Sequence, residues 1–124
     1  MRCPCRRKSE TRTYAERCEP HHLGRQVPDT AEALMRSRYA AFALRDAAYV
    51  IATWHHSTRP ARIDFSPGQE WLALKVEATA TDGDSAKVEF TARCRIGGTS
   101  HVLHEVSRFV RTEGRWFYVD GIVT

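Results

Sequence analysis

The second half of the chain alternates apolar and polar residues with a period of two, and short turn sequences containing Gly interrupt the alternation. Successive side chains of a β-strand point to opposite faces, so this pattern predicts strands with one buried face. Because the turns are short, successive strands are predicted to pair as an antiparallel meander. The four predicted strands cover residues 71–80, 86–96, 100–111 and 115–123.

The apolar residues of the first two predicted strands define the buried face of this sheet. An apolar sheet face needs a covering layer, which helices can supply. Cys94, in the middle of the second strand, is predicted to be a small core residue. The predicted core face consists of Leu72, Leu74, Val76 and Ala78 in the first strand and Val88, Phe90, Ala92 and Cys94 in the second.

Two amphipathic helices are predicted ahead of the sheet. Asp29, with Glu32 three residues later, forms a capping box for a helix over residues 30–44. Asp46 caps a second helix over residues 47–55. Apolar residues recur at three- and four-residue steps in both segments, so each helix has one face that can cover the sheet.

The predicted fold class is α+β, with helices packed on a curved four-stranded antiparallel sheet. Residues 57–69 contain two prolines and predict a loop between the layers, with one helical turn at 63–65. A chain of 124 residues is large enough for one core but not for two. Nothing is predicted to span a membrane, because no segment approaches the ~18 to 20 continuous apolar residues that a bilayer requires.

Three of the four cysteines lie in the first eighteen residues, and two histidines follow them. Three thiolates and one imidazole form a standard ligand set of tetrahedral Zn²⁺, and Fe²⁺ can occupy such sites according to its availability. The alternatives are free surface thiols and a disulfide in an exported protein. No apolar stretch of signal-peptide length follows the basic start, so we expect a reducing cytoplasm, which favours the metal. The predicted ligands are Cys3, Cys5, Cys18 and either His21 or His22.

The same segment carries the net charge of the chain. Residues 1–25 hold seven Lys or Arg against three Glu, and this excess equals the net charge of +4 of the whole chain. A basic metal knuckle predicts a protein partner that is acidic or ribosome-associated, with RNA as a weaker candidate and a solvated charged arm as the alternative. The charged residues are Arg2, Arg6, Arg7, Lys8, Arg12, Arg17 and Arg25, with Glu10, Glu16 and Glu19.

Four blocks of sequence, in order, resemble the signatures of the bacterial YchJ-like proteins. They are MRSRYAAF (35–42), TWH (53–55), EVSRF (105–109) and WFYVDG (116–121). The resemblance implies a metal-binding motif of the SEC-C type at the N-terminus, here residues 1–26, as an appendage to a domain with the nuclear transport factor 2-like fold, residues 27–124. That fold is a cone in which helices line a strongly curved sheet. Most members of the family are uncharacterised, so the resemblance implies a fold and a metal but no reaction.

The chain departs from the SEC-C pattern at the end of the motif. The usual motif is Cys-x-Cys, eight residues, and then Cys-Cys or Cys-His. Here the gap between Cys5 and Cys18 is longer, and Arg17 or Glu19 stands where the adjacent ligand would be. A helical turn after Cys18 would bring either of the two histidines within reach of the same ion.

Polar residues of the helices and strands are candidates for the cavity of such a cone. Related cones hold isomerases and dehydratases that use an Asp and a His, so an enzyme is one interpretation. The structural alternative is that Arg36, Arg38 and Arg108 tie helix to sheet by pairing with carboxylates, with Arg108 bound inside the cone. The cavity candidates are Tyr39, Trp54, His55, Glu105, Arg108 and Asp120.

Two functions follow from these features. The first is a cytoplasmic metal-binding module that docks to a partner through its N-terminal knuckle, with the cone as a scaffold. The second is a small-molecule binder or enzyme that uses the cavity of the cone, with a purely structural knuckle. An exposed basic knuckle on a filled cone favours the first function, and a deep cavity with convergent polar groups favours the second.

Overall fold

In the computed structural model, which describes residues 1–6 and 12–124, helices precede an antiparallel sheet, as predicted. The helices are α1 (Tyr14–Arg17), α2 (Glu19–His22), α3 (Ala31–Leu44) and α4 (Ala47–Ala52). The strands are β1 (Gln69–Asp82), β2 (Ser85–Ile96), β3 (Thr99–Thr112) and β4 (Arg115–Val123). Each strand pairs with the next in the order β1-β2-β3-β4, which confirms the meander. Arg7, Lys8 and Glu10 of the predicted basic segment lie outside the described residues.

Two bulges in β1 correct the predicted core face. The pairing with β2 shifts between Trp71 and Ala73, and again between Val76 and Ala78. Each extra residue moves the following side chains to the other face. Leu74 and Val76 belong to the core as predicted, whereas the prediction is wrong for Leu72 and Ala78, which do not. Trp71, which pairs with Cys94, takes a place in the core instead. The predicted core face of β2 is confirmed, because Val88, Phe90, Ala92 and Cys94 are all buried.

The helix caps differ from the prediction by one residue. Thr30, not Asp29, caps α3, because its hydroxyl accepts a 3.0 Å hydrogen bond from the amide of Ala33. Glu32 instead accepts a 2.9 Å hydrogen bond from Nε of Arg36, one turn later. Asp46 caps α4 as predicted.

Helix α4 ends three residues earlier than predicted because the chain turns to pair with β4. The amide of Tyr118 donates a 2.9 Å hydrogen bond to the carbonyl of Thr53, and the amide of His55 donates one of 2.7 Å to the carbonyl of Tyr118. The predicted helical turn at residues 63–65 is wrong, since that part of the loop has no regular structure. These hydrogen bonds hold the end of α4 against the last strand of the sheet.

The main core lies between α3 and the concave face of the sheet, and the N-terminal segment is part of it. Cys3, Cys5 and Cys18 belong to the same buried cluster as Leu34 and Phe109. The expected appendage is therefore packed into the domain. Within residues 1–6 and 12–124, no helix is long and apolar enough to cross a membrane.

Candidate metal site and cavity

The sulfurs of Cys3, Cys5 and Cys18 meet in the core beside α3. The Sγ of Cys5 lies 3.4 Å from that of Cys3 and 3.3 Å from that of Cys18. The sulfurs lie within 4.8 Å of one another, and the three residues are at most 1% exposed. The structure thus brings together the cysteines that the sequence analysis proposed as ligands.

Short-range backbone contacts place these cysteines. The amide of Cys3 bonds to the carbonyl of Arg12, and the amide of Tyr14 bonds to the carbonyl of Met1, so the first residues lie beside residues 12–14. Thr13 then caps α1 through a reciprocal capping box with Glu16. Helix α1 is a single turn that follows this cap, and it places Cys18 beside the other two thiols.

The thiols of the cluster are electrostatically unequal. Hydrogen bonds with Cys18 and Cys3, together with the guanidinium of Arg17, lower the pKa of Cys5. Hydrogen bonds to Cys3 and Cys5, together with burial, raise the pKa of Cys18. Cys5 therefore loses its proton more readily than Cys18. The resulting thiolate is the form that binds metals.

Both candidate histidines have other partners. The predicted helical turn after Cys18 is present as α2, but within the described residues neither His21 nor His22 joins the group of sulfurs. Nε2 of His22 lies 2.8 Å from the carbonyl of Ser37, and its Nδ1 lies 2.7 Å from the hydroxyl of Tyr14. Because a carbonyl only accepts, Nε2 carries the proton and Nδ1 accepts from Tyr14. Nδ1 of His21 lies 2.8 Å from the carbonyl of Gln26.

The donor set fits three positions of a tetrahedral zinc site. Sulfurs bound to one Zn²⁺ at about 2.3 Å stand about 3.8 Å apart, a few tenths of an ångström more than the separations seen here. No fourth Cys, His, Asp or Glu donor completes the group within the described part of the chain. The described residues therefore supply a buried three-thiol site.

A second candidate site is a cavity of about 210 Å³ between α3 and the sheet. Its wall is mostly aromatic and aliphatic, and its polar groups are few. Such a lining is typical of small-molecule sites. The lining residues are Met35, Arg38, Tyr39, Phe42, Trp54, Trp71, Phe90, Ala92, Leu103, Glu105, Ser107, Phe109 and Tyr118.

Arg38 supplies the positive charge of this cavity although it is only 5% exposed. Its Nη1 donates to the carbonyl of Val50 at 2.8 Å and to the hydroxyl of Thr53 at 2.7 Å. Its guanidinium carbon lies 4.4 Å from the ring centroid of Tyr118 and 5.2 Å from that of Trp54. Burial lowers the pKa of Arg38 to about 10, which leaves the side chain charged at neutral pH.

Glu105 supplies the negative charge of the cavity from β3. Its Oε2 accepts a hydrogen bond from the hydroxyl of Ser107. A Cβ at position 121 would lie 2.6 Å from the carboxyl carbon of Glu105, so only Gly121 leaves room for this side chain. Gly121 thus allows the carboxylate of Glu105 to lie beside Ser107.

The structure separates the predicted cavity residues into two groups. Tyr39, Trp54 and Glu105 line the cavity. Arg108 and Asp120 instead pair with each other across β3 and β4, with side chains 55% and 45% exposed. The predicted tie of Arg108 inside the cone is therefore wrong.

His55 also lies away from the cavity. Its Nδ1 lies 2.7 Å from the hydroxyl of Ser57, and its ring packs against His56 and Phe117. For Arg38, by contrast, the sequence predicts only a structural tie. The sequence signal for its role is a charged residue directly before Tyr39, on the helix that covers the sheet.

The fold and the cluster define a small α+β cone domain with an N-terminal group of three cysteines. A family model described as "YchJ, middle NTF2-like domain" matches residues 30–121. The chain belongs to the YchJ-like family. UPF0225 proteins of Polaromonas naphthalenivorans and Methylibium petroleiphilum are each 50% identical over 96% of the chain, which covers 95% and 86% of their lengths.

Two solved structures are similar to this chain over most of its length. The solution structure of a SEC-C motif containing protein from Rhodopseudomonas palustris has a TM-score of 0.79 and 35% identity, covering 92% of this chain and 94% of that one. The crystal structure of a SEC-C motif containing protein from Psychrobacter arcticus has a TM-score of 0.81 and 28% identity, covering 98% and 82%. These likenesses confirm the predicted fold and the SEC-C resemblance.

Proposed function

We propose that this chain is a zinc-binding interaction module, in which Cys3, Cys5 and Cys18 hold the ion and the N-terminal segment binds an acidic segment of a protein partner. The observation that carries the proposal is the meeting of three buried sulfurs within 4.8 Å. When bound, zinc supplies a structural cross-link between the first residues and the residues after α1. That cross-link would stabilise the surface that the N-terminal residues form.

A basic groove of about 780 Å³ runs between the N-terminal segment and the first two strands. Its lining includes Arg2, Arg6, Lys75 and Arg93, and no Asp or Glu is among the described residues that line it. Arg2 and Arg93 are exposed, and neither forms an ion pair with any described residue. Charge complementarity therefore favours an acidic partner segment, and the attraction should weaken as salt rises.

Metal analysis of the purified chain tests the first half of the proposal. We expect about one zinc per chain, and its loss in the variants Cys5→Ser and Cys18→Ser, because a structural site needs each thiolate. The matched control is Cys94→Ser, which changes a buried cysteine in β2 and should leave the zinc content unchanged. A chain without metal after anaerobic purification, or an equal loss in all variants, contradicts the proposal. Iron in place of zinc would correct the identity of the ion.

Binding of a labelled peptide tests the second half. The probe is a short fluorescein-labelled peptide of alternating Glu and Ala, and its control is a peptide of alternating Lys and Ala. We expect anisotropy to report binding of the acidic peptide alone, with a loss of affinity in Arg2→Gln and Arg93→Gln. The matched control is Arg59→Gln, an exposed arginine of the loop before β1. Equal binding by all variants would show that the basic groove is not the site.

A further inference from the structure

The geometry points to a second binding site, independent of the cysteines: the cavity beneath α3 binds a small monocyclic aromatic carboxylate, held by Nε and Nη2 of Arg38. The cavity then has a ligand class and a binding residue of its own, whether or not the N-terminal segment binds a partner.

Arg38 has unfilled hydrogen-bonding capacity. Only Nη1 donates to protein acceptors among the described residues, to the carbonyl of Val50 and the hydroxyl of Thr53. Nε and Nη2 form the edge of the guanidinium that binds carboxylates with two parallel hydrogen bonds. Buried donors without an acceptor are uncommon in folded proteins, so this edge indicates an acceptor that the chain does not itself provide.

The guanidinium of Arg38 has a fixed orientation. Its plane is held by the rings of Tyr118 and Trp54 and by the two Nη1 hydrogen bonds. A preorganised donor loses little conformational entropy on binding, and therefore selects one direction of approach. Because Arg38 lines the cavity, an anion bound there lies next to this residue.

The size of the cavity and the chemistry of its wall suit an aromatic ring. An engineered protein cavity of about 150 Å³ accommodates benzene, and this cavity is about 210 Å³. The space therefore fits one aromatic ring with a carboxylate. Rings of Phe42, Trp71 and Phe109 line it, and aromatic walls pack well against a flat ring.

Glu105 adds a preference within this class. Its Oε2 is engaged by Ser107, and no described residue donates to its Oε1. A ring hydroxyl on the ligand would supply such a donor. A second carboxylate would instead meet the charge of Glu105, so the cavity should reject aromatic dicarboxylates.

Tryptophan fluorescence of the full chain tests the proposal, because Trp54 and Trp71 line the cavity whereas Trp116 does not. The probes are benzoate, 4-hydroxybenzoate and the neutral isostere benzamide. We expect saturable quenching by both acids, with benzamide at least about tenfold weaker because it lacks the charge that Arg38 pairs with. Equal binding of benzoate and benzamide, or no saturable quenching by either acid, would overturn the proposal.

Three variants separate binding by Arg38 from its role in folding. Arg38→Met should lower benzoate affinity by at least about tenfold, with Arg108→Met as the matched control in the exposed pair. Because Arg38→Met can also destabilise α4, Ala92→Leu provides a second test: it fills the cavity and leaves Arg38 intact. Benzoate binding that survives Ala92→Leu, or that survives Arg38→Met in a folded protein, would refute the assignment. In both variants the chemical shifts of the Trp54 and Trp71 indole N–H groups should no longer respond to benzoate.

Discussion

Nη1 of Arg36 donates a 2.7 Å hydrogen bond to the backbone carbonyl of Cys5, which lies 31 residues earlier in the chain. Nε of the same side chain donates to Glu32 at 2.9 Å, and the arginine is only 4% exposed. One buried guanidinium thus joins the turn of the cysteine cluster to α3. The N-terminal segment depends on the cone through this contact as well as through the packing of its cysteines.

Replacing Arg36 should destabilise the whole domain. Arg36→Met leaves the carbonyl of Cys5 and the carboxylate of Glu32 without this donor, and we expect a loss of about 1 to 3 kcal/mol in the free energy of unfolding. Urea unfolding followed by circular dichroism measures it. The matched control is Arg95→Met, which breaks an exposed pair with Glu70 and should cost roughly 0 to 1 kcal/mol. Equal losses of stability in the two variants would show that the buried hydrogen bonds of Arg36 contribute no more than an exposed ion pair.

The exposed pair of Arg108 and Asp120 should matter little to stability. Its Nε–Oδ1 distance is 2.6 Å, but both side chains are about half exposed, so water and salt screen the attraction. Arg108→Met is expected to unfold at nearly the same urea concentration as the wild type. A large loss of stability in this variant would mean that the pair is more buried in solution than the structure indicates.

His22 should behave as a structural residue and not as a ligand. His22→Phe keeps the ring contacts with Tyr14 and Tyr49 but removes both nitrogens, leaving the carbonyl of Ser37 and the hydroxyl of Tyr14 without partners. We expect a cost of about 1 to 2 kcal/mol in stability and an unchanged metal content. His21→Phe is the control. Loss of metal in His22→Phe but not in His21→Phe would show that His22 is a metal ligand.

The tyrosines should make the protein sensitive to alkali. Burial raises the pKa of Tyr49 and of Tyr118 from 10.0 to about 12. The unfolded chain then loses these protons first, so the contribution of the two tyrosines to the free energy of unfolding is constant below pH ~10 and falls as the pH rises toward ~12. Urea unfolding at several alkaline pH values measures the slope. Tyr49→Phe should make it shallower, and an unchanged slope would contradict this account of Tyr49.

The sheet could be predicted because its signals are local. Period-two alternation and Gly-containing turns gave all the strands, with ends within three residues of those observed. The bulges at Trp71 and Val76 could not be predicted, since a bulge depends on how the strand twists against its partner. The cap of α3 could not be predicted either, because Asp29 and Thr30 are both good capping residues. In the structure the extended backbone of Thr30 identifies it as the cap.

The candidate site was predictable where its residues are clustered in sequence. The cysteines are such a case, because three thiols within eighteen residues are a local signal of a metal site. The cavity draws its residues from α3, from the segment after α4 and from all four strands, so it depends on the tertiary fold. The outward direction of Arg108 also depends on the fold: its neighbours Ser107 and Phe109 are buried, so Arg108 lies on the opposite face of β3. Val106 and Val110 share the face of Arg108, so alternation in the sequence does not distinguish the two faces.

Gly121 and Glu105 should be energetically coupled. In Gly121→Ala the new methyl group would overlap the carboxyl group of Glu105, displacing it from Ser107, and we expect a loss of about 1 to 3 kcal/mol. In the background of Glu105→Ala the same change should cost nothing, because the space is open and Ala is a better strand residue than Gly. A double-mutant cycle by urea unfolding isolates this coupling. If Gly121→Ala costs the same in both backgrounds, the glycine is required by the backbone of β4 and not by the position of Glu105.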